Sequence, residues 1–165
     1  MAGAKLLYYG YWKLAVPKSV FGDLKYVEVK FSCMACGQCC IGTEMELLPE
    51  DIDRLEALGY RLEDFAVRGR DGVWRLRNIN GHCVFYDEES KKCKIYEYRP
   101  IGCRLYPLIY DGSRVTVDKQ CPAWHTVPRS EVARLAPIVV EFVKRVRLTD
   151  DYVRVRLSFK VAKPP

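Results

Sequence analysis

The stretch that decides the fold of this chain is CMACGQCC, residues 33–40, in which half of the positions are cysteine. Two steps of three residues, from Cys33 to Cys36 and from Cys36 to Cys39, can each place two sulfurs on one ion around a tight turn. Gly37 has the backbone freedom that such a turn requires. The stretch therefore predicts a metal site around which the rest of the chain is organised.

The fourth thiol of this stretch, Cys40, directly follows Cys39. Because adjacent side chains point in divergent directions, the two cysteines are predicted to serve different sites or different roles. Four more cysteines follow, at Cys83, Cys93, Cys103 and Cys121. The total of eight suits two four-thiolate sites, or one cluster with spare thiols, and all eight are candidate metal ligands.

Length and composition indicate one cytoplasmic domain. A chain of 165 residues can bury a core of its own, so a metal is not obligatory for folding. We find no secretory leader, and the most apolar run, residues 135–143, is too short to span a bilayer. In a reducing cytosol, clustered cysteines more often bind metals than form disulfides. Disulfides stay an alternative, because the low content of Asn and Gln resembles that of hyperthermophile proteins.

The residue pattern predicts an α+β fold: a small single domain, residues 1–165, with a cysteine-rich, metal-organised irregular core. Residues 33–122 are predicted to form the cysteine-cluster module, and residues 129–165 a C-terminal extension of one helix and one strand. Residues 1–23 are expected to pack as an N-terminal cover.

The hydrophobic periodicity and the turn residues predict the individual elements. Helices are predicted at residues 49–58, 62–67 and 130–148. Strands are predicted at residues 24–31, 73–77, 84–86, 93–96, 108–110 and 153–161, the last from strict alternation of apolar and basic residues. Residues 78–122 otherwise read as a long irregular segment. A loop of this length indicates that an interaction other than the hydrogen bonds of a sheet holds the segment in place. Bound metal is the predicted interaction.

Several sequence blocks together resemble a known family. The blocks are CGQCC at 36–40, PEDI at 49–52, GHCVF at 81–85, CKIY at 93–96 and RPIGCRLYP at 99–107. They resemble the CxxCxxCC family of zinc- or iron-chelating proteins, the YkgJ-like cysteine-cluster proteins, from about Cys33 to Pro107, with Cys121-Pro122 as a last member. The resemblance implies a metal or iron–sulfur site built from these cysteines. Some members are described as iron–sulfur oxidoreductases, and the blocks also resemble the cysteine-rich part of flagellin lysine methylases.

The spacing of the first cysteines favours a [4Fe-4S] cluster over zinc. Cys33, Cys36 and Cys39 have the spacing of the first three ligands of bacterial ferredoxins, and Cys121, followed by Pro122, can act as a distant fourth ligand. Zinc stays open, because zinc sites also use paired CxxC steps. The ten-residue spacing of the later cysteines fits neither pattern.

Two arginines are candidate partners of the bound group. A thiolate-bound zinc or cluster is anionic, so Arg99 and Arg104 are predicted to lie beside it. The alternative for each is an arginine stem packed on Tyr96 or Tyr98. His82 and His125 are interpreted as polar neighbours of cysteines, with a Cys3His zinc site as the exception.

Sequence motifs of other chemistries are absent, which narrows the functional hypotheses. The chain lacks the CxxxCxxC pattern of radical S-adenosylmethionine enzymes, a phosphate-binding GxxxxGK[ST] and a dinucleotide-binding GxGxxG. The leading hypothesis is a metal-binding protein that coordinates an iron–sulfur cluster for electron transfer, or holds a metal, for a protein partner, with no membrane partner.

Two further hypotheses remain open. The first is a structural zinc module whose basic tail binds nucleic acid or protein, although a solvated strand face explains the same cations. Those cations are Lys144, Arg145, Arg147, Arg154, Arg156 and Lys160. The second is an enzyme, such as an iron–sulfur oxidoreductase component or a relative of lysine methylases, and it rests on family analogy alone.

Overall fold

The computed structural model describes residues 27–161, with side chains described as far as residue 158. The predicted N-terminal cover, residues 1–23, and the first three residues of the predicted strand at 24–31 lie outside this part of the chain.

The first helix begins and ends where the sequence predicts. Helix α1 spans Pro49–Ala57, with a proline in its first turn and the acidic residues Glu50 and Asp51 near its positive end. Its residues Ile52 and Leu55 are fully buried. The chain leaves the helix through Gly59 in the left-handed conformation.

Short antiparallel hairpins occupy most of the chain between residues 66 and 117. Helix α2 is Leu62–Phe65, and it runs directly into the first hairpin. The strands are β1 Ala66–Arg68, β2 Trp74–Leu76, β3 Asn78–Ile79, β4 His82–Cys83, β5 Tyr86–Asp87, β6 Lys92–Cys93, β7 Leu108–Tyr110 and β8 Val115–Val117. β1 pairs with β2, β3 with β4, β5 with β6 and β7 with β8, and each pair forms a separate two-stranded sheet. Two-stranded sheets are only marginally stable alone, so this region depends on packing and on side-chain ties.

Three further helices complete the described chain. Helix α3 spans Ile101–Leu105 and carries Cys103, a helix that the sequence analysis did not predict. Helix α4 spans Arg129–Val146 without interruption, although Pro137 lies inside it. Helix α5 spans Thr149–Val161. The mixture of helices and small antiparallel strand pairs confirms the predicted α+β class.

The buried side chains form two hydrophobic clusters. The first packs helix α4 against α3, β7 and the chain before the cysteine turn. The second packs helix α1 against the hairpins; it contains the side chain of Cys83, and those of Cys40, Cys93 and Cys103 pack against it. Its buried members are Leu47, Ile52, Leu55, Phe65, Ala66, Leu76, Cys83, Phe85, Tyr86, Ile95 and Val153.

The predicted C-terminal strand is wrong, because residues 149–161 form helix α5. The residues that dock this segment are spaced three and four apart, which is helical spacing. Thr149 donates a hydrogen bond of 2.8 Å to the carbonyl of Leu47, and Tyr152 donates to Asp53 on α1. Val153, four residues after Thr149, is buried. Tertiary contacts therefore override the strand pattern.

Basic residues of the predicted strand face form ion pairs with acidic residues of the same chain. Arg154 pairs with Asp150 on its own helix at 3.0 Å, and Arg156 pairs with Asp53 at 3.3 Å. Arg145, another predicted nucleic-acid contact, pairs with Glu50. The pairs of Arg145 and Arg156 dock the two C-terminal helices on α1, whereas that of Arg154 lies within its own helix.

The predicted strand at 24–31 is also wrong over its described part, although its side-chain alternation is present. Val27 and Val29 are buried while Glu28 and Lys30 are exposed. Among residues 27–161 this segment has no ladder partner, and its amides bond individually instead. Val29 donates to the carbonyl of Arg104 at 3.1 Å. Lys30 donates to a carboxylate oxygen of Glu131 at 2.9 Å.

Candidate metal centre

All eight cysteines line one cavity of about 510 Å³. They come from five separate parts of the chain: the cysteine turn, strands β4 and β6, helix α3 and the segment before α4. Every one of them is a free thiol. The remaining lining is mainly apolar, with side chains such as Val29, Phe31, Leu76, Phe85 and Ile95. The fold thus gathers thiols that are far apart in sequence around one mainly apolar cavity.

Backbone conformation shapes the turn that carries the first four thiols. Gly37 has φ +71°, and the following 3-10 turn Gln38–Cys40 begins from it. A Cβ atom on Gly37 would lie 2.7 Å from Cε2 of Tyr86 and 3.1 Å from the carbonyl oxygen of Lys91. Conformation and space both require glycine here, in agreement with the sequence-based expectation for this position.

A recurring backbone contact points amide hydrogens at the sulfurs. The N–H of Ala35 donates to Sγ of Cys33 at 3.5 Å, two residues earlier. The same spacing recurs three more times. Phe85 donates to Cys83, Ile95 to Cys93 and Ala123 to Cys121. Such N–H donors stabilise the thiolate, which is the form that binds metal.

Burial and backbone donors act in opposite directions on three of these thiols. Burial raises the pKa of Cys83 to about 11, while the amide of Phe85 lowers it. Burial likewise raises the pKa of Cys93 and of Cys121, again against an amide donor. Without a bound cation these thiols are protonated at neutral pH. A metal must therefore displace protons to bind them.

Cys39 and Cys40 behave as an unequal pair. A hydrogen bond from the Cys40 thiol lowers the pKa of Cys39 to about 7. The same hydrogen bond raises the pKa of Cys40, and burial raises it further. The two adjacent cysteines therefore differ in protonation.

The two predicted arginines both lie on the cavity lining. The guanidinium of Arg99 is 3.9 Å from the centroid of the Tyr96 ring, and it forms an ion pair with Glu28. Its positive charge lowers the pKa of Cys39 and of Cys93. Packing on a tyrosine and proximity to the bound group are alternative predictions for Arg99. The structure shows packing on Tyr96 together with proximity to the thiols.

Arg104 is buried, and burial lowers its pKa. It follows Cys103 on helix α3, so the same short helix brings a thiol and a cation to the cavity. Arg99 and Arg104 are therefore placed to offset the negative charge of a thiolate-bound group.

Neither histidine lines the cavity. Nδ1 of His82 is 3.0 Å from the carbonyl oxygen of Asn80, and its ring stacks on Tyr86 with centroids 5.0 Å apart. The ring of His125 lies edge-on to Trp124. Both positions agree with the interpretation of these histidines as polar neighbours.

Asp51 fixes neighbouring elements of the site in position. The sequence alone predicts only that it is an acidic residue at the start of a helix. It is fully buried and accepts three hydrogen bonds. The donors are the N–H of Leu48 at 3.0 Å, the N–H of Ile101 at 2.9 Å and Arg54 at 2.6 Å. Arg54 also donates to the carbonyl of Arg99 at 3.3 Å. Asp51 thus joins α1 to α3 and to the segment bearing Arg99. The partner is 50 residues away, so no local pattern could have revealed it.

The donor set fits a thiolate-bound metal in composition. Within residues 27–161, however, no three Cys, His, Asp or Glu side chains form a preformed metal-binding group. The sulfurs share a cavity without converging on one point. Metal-thiolate sites commonly close as the metal binds, because protonated thiols have no common partner to draw them together.

Comparison with known proteins gives one family and a distant relative. The CxxCxxCC family, described as "Putative zinc- or iron-chelating domain", matches residues 32–122. A segment of 102 residues is 32% identical to "Uncharacterized protein MJ0661" of Methanocaldococcus jannaschii, covering 58% of this chain and 54% of that protein. The chain therefore spans about half the length of that relative.

No solved structure matches the chain. None of the helices in the described part combines the length and the apolar composition that a bilayer span needs.

Proposed function

The chain belongs to the CxxCxxCC family of zinc- or iron-chelating domains, and from this membership and the sulfur-lined cavity we propose that it holds an iron–sulfur cluster for redox chemistry with a protein partner. Metal chelation is the property of the family. The choice of an iron–sulfur centre and of a redox role is our proposal.

The observation that carries the proposal is the gathering of eight free thiols on one cavity, with amide donors aimed at four of them. A single tetrahedral zinc ion uses four sulfurs at about 2.3 Å. Eight thiols line the cavity of about 510 Å³, which is twice the number that one zinc ion requires. The ferredoxin-like spacing of Cys33, Cys36 and Cys39 further supports iron–sulfur chemistry.

When bound, an iron–sulfur cluster supplies one-electron transfer. The cysteines would bind the iron, and Arg99 and Arg104 would offset the negative charge. The amide donors and the apolar lining would adjust the reduction potential, because hydrogen bonds to sulfur and solvent exposure both affect it.

A protein partner is the expected recipient or donor of electrons. Apolar side chains are exposed at the edge of the cavity, with Met34 64% and Tyr96 46% accessible. Such exposed apolar groups support docking of another protein. A cytoplasmic location belongs to the same proposal, since a reducing compartment keeps the thiols free.

Anaerobic purification followed by metal analysis tests this function. We expect a brown protein with visible charge-transfer absorption, and iron and acid-labile sulfide in similar amounts. Replacing Cys36 and Cys93 together by serine should abolish the colour, whereas Ser90→Ala, at an exposed hairpin turn, should leave it unchanged. A colourless protein that carries zinc at full occupancy would reject the iron–sulfur proposal.

A further inference from the structure

Building on the proposed metal function, we infer that the eight thiols form two separate four-sulfur sites. The outer site consists of Cys33, Cys36, Cys39 and Cys121. The inner site consists of Cys40, Cys83, Cys93 and Cys103. Each site takes one metal centre, and the peptide bond between Cys39 and Cys40 joins the two sites.

Packing separates the same two groups. All four inner cysteines belong to, or pack against, the second hydrophobic cluster. No member of the outer group does, and Cys33, Cys36 and Cys39 are exposed. The inner sulfurs are thus surrounded by apolar side chains, while three of the four outer cysteines lie on the solvent side of the cavity.

Backbone contacts connect the members of the inner site. Ile41, next to Cys40, forms a bridge with His82, which precedes Cys83. Cys93 in turn pairs with Tyr86 across β5 and β6. The N–H of Lys94, next to Cys93, donates to the carbonyl of Phe85, two residues after Cys83, at 2.8 Å, so backbone contacts connect the two hairpins that hold these three thiols.

Cys103 reaches this set from helix α3. Cys103 packs against the second hydrophobic cluster, of which Cys83 is a buried member. The N–H of Ile101, in the same helix, donates to Asp51 and fixes the position of α3. The helix thereby supplies the fourth thiol of the inner site.

A different contact connects the outer site. The N–H of Ser32, next to Cys33, donates to Oγ1 of Thr126 at 3.1 Å. Thr126 ends the short turn Trp124–Thr126, whose first amide donates to the carbonyl of Cys121 at 3.0 Å. This arrangement brings Cys121 to the beginning of the cysteine turn.

Cys39 lies at the junction of the two sites, because it directly precedes Cys40. Its exposure and its spacing from Cys36 assign it to the outer site.

Matched single variants test the division. We expect two centres per chain in the native protein, and loss of about half of the metal in Cys36→Ser (outer site) and in Cys93→Ser (inner site). The double variant should lose all of it. If either single variant loses all metal, or if the native protein binds only one centre, the division is wrong.

The identity of the metal separates this inference from the proposed function. Two zinc ions per chain that halve in the same way would support two sites and reject the iron–sulfur cluster. Two iron–sulfur clusters would support both proposals. One cluster, lost in both single variants, would support the proposed function and overturn the division.

A measurement on the unmodified protein avoids the risk that a variant fails to fold. The metal-loaded protein is treated with a chelator and an alkylating reagent, and modified cysteines are located by mass spectrometry. We expect two phases, with the outer thiols modified during the first while the inner thiols stay protected. Loss of all metal in one phase, with all eight thiols modified together, would contradict two sites.

Discussion

At the scale of single residues, the cysteine turn depends on a position that carries no side chain. Gly37 combines a left-handed backbone with contact to Tyr86 and to the carbonyl of Lys91. Gly42, five residues later, also has positive φ, but no atom would lie within 4 Å of its Cβ. Both glycines therefore have a left-handed backbone, but only at residue 37 would a Cβ atom also clash with its neighbours.

Gly37→Ala is expected to destabilise the protein more than Gly42→Ala. A left-handed alanine costs about 1–2 kcal/mol in either variant. At residue 37 the clash adds to this cost and displaces the turn, so bound metal should also decrease. Chemical unfolding and metal content measure the two effects. Equal losses of stability, with metal content unchanged in both variants, would show that the close contact has no consequence.

A second residue-scale feature is the carboxylate of Glu131, which holds the chain entering the cysteine turn. It accepts two bonds from Arg134, at 2.9 and 2.7 Å, and one from the N–H of Lys30 at 2.9 Å. These donors, Arg134 first, lower its pKa to about 2. The ionised form is therefore favoured more strongly in the folded protein than in the unfolded chain.

Glu131→Gln should reduce the free energy of unfolding by about 1–2 kcal/mol at pH 7. Because the folded pKa is depressed, the contribution is complete above the unfolded value of about 4.3 and declines as the pH falls towards 2. The difference between native protein and variant should shrink in that window. Unfolding curves at several pH values check this, with the exposed Glu97→Gln as the control. A difference that stays constant down to pH 2 would exclude the carboxylate charge as its cause.

At the scale of elements, helix α3 delivers both Cys103 and Arg104, and a single side chain on α1 holds it. Asp51 receives three donors while fully buried. Burial raises its pKa, whereas Arg54 and the two backbone amides lower it. The two elements are therefore coupled through a buried polar contact.

Asp51→Ala is expected to lower the free energy of unfolding by about 3–5 kcal/mol, because it leaves a partly buried arginine and two buried amides without their acceptor. Metal content should fall as well, since the helix that bears Cys103 loses its anchor. Asp64→Ala is the matched control: its pair with Arg61 is exposed, so its loss should have little effect on stability. Similar effects of the two substitutions would contradict an anchoring role for Asp51.

Helix α5 shows how contacts between elements decide a conformation. Residues 149–161 alternate as a strand does, yet the side chains that touch the rest of the protein follow helical spacing. Asp150 accepts two bonds from Arg68, at 2.6 and 2.8 Å, and one from Trp74 at 3.2 Å. The start of the helix is thus fixed on the first hairpin, and its later turns pair with α1 through Arg156.

At the scale of the whole molecule, the two hydrophobic clusters differ in their dependence on the cavity. The first cluster consists of apolar side chains around helix α4 and includes no cysteine. The second packs helix α1 and the two-stranded hairpins around the inner thiols. Metal binding should therefore stabilise the two halves unequally.

Removal of the metal is expected to increase hydrogen exchange in the cysteine turn and in residues 78–122, and to leave the amides of α4 protected. Binding energy at thiolate sites is in part folding energy, and short hairpins retain little stability without it. Exchange followed by mass spectrometry, with and without chelator, measures the change. The interpretation would be wrong if exchange rose equally in α4.

Local patterns in the sequence determined much of this protein. The CMACGQCC turn, the start of α1 at Pro49 and the amphipathic α4 depend on spacing, capping and backbone freedom within a few residues. The eight cysteines as candidate ligands could be predicted in the same way, because clustered thiols in this spacing are typical of metal sites.

Only the tertiary structure decided the helical form of residues 149–161, the anchoring role of Asp51 and the grouping of the thiols around one cavity. Each depends on contacts between residues about 50 to 100 positions apart, such as Ile101 with Asp51 or Thr149 with Leu47. Periodicity reports only which residues share a face of one element. Periodicity does not report which distant element packs against that face. In this protein, the packing of the distant element determines the conformation of the segment.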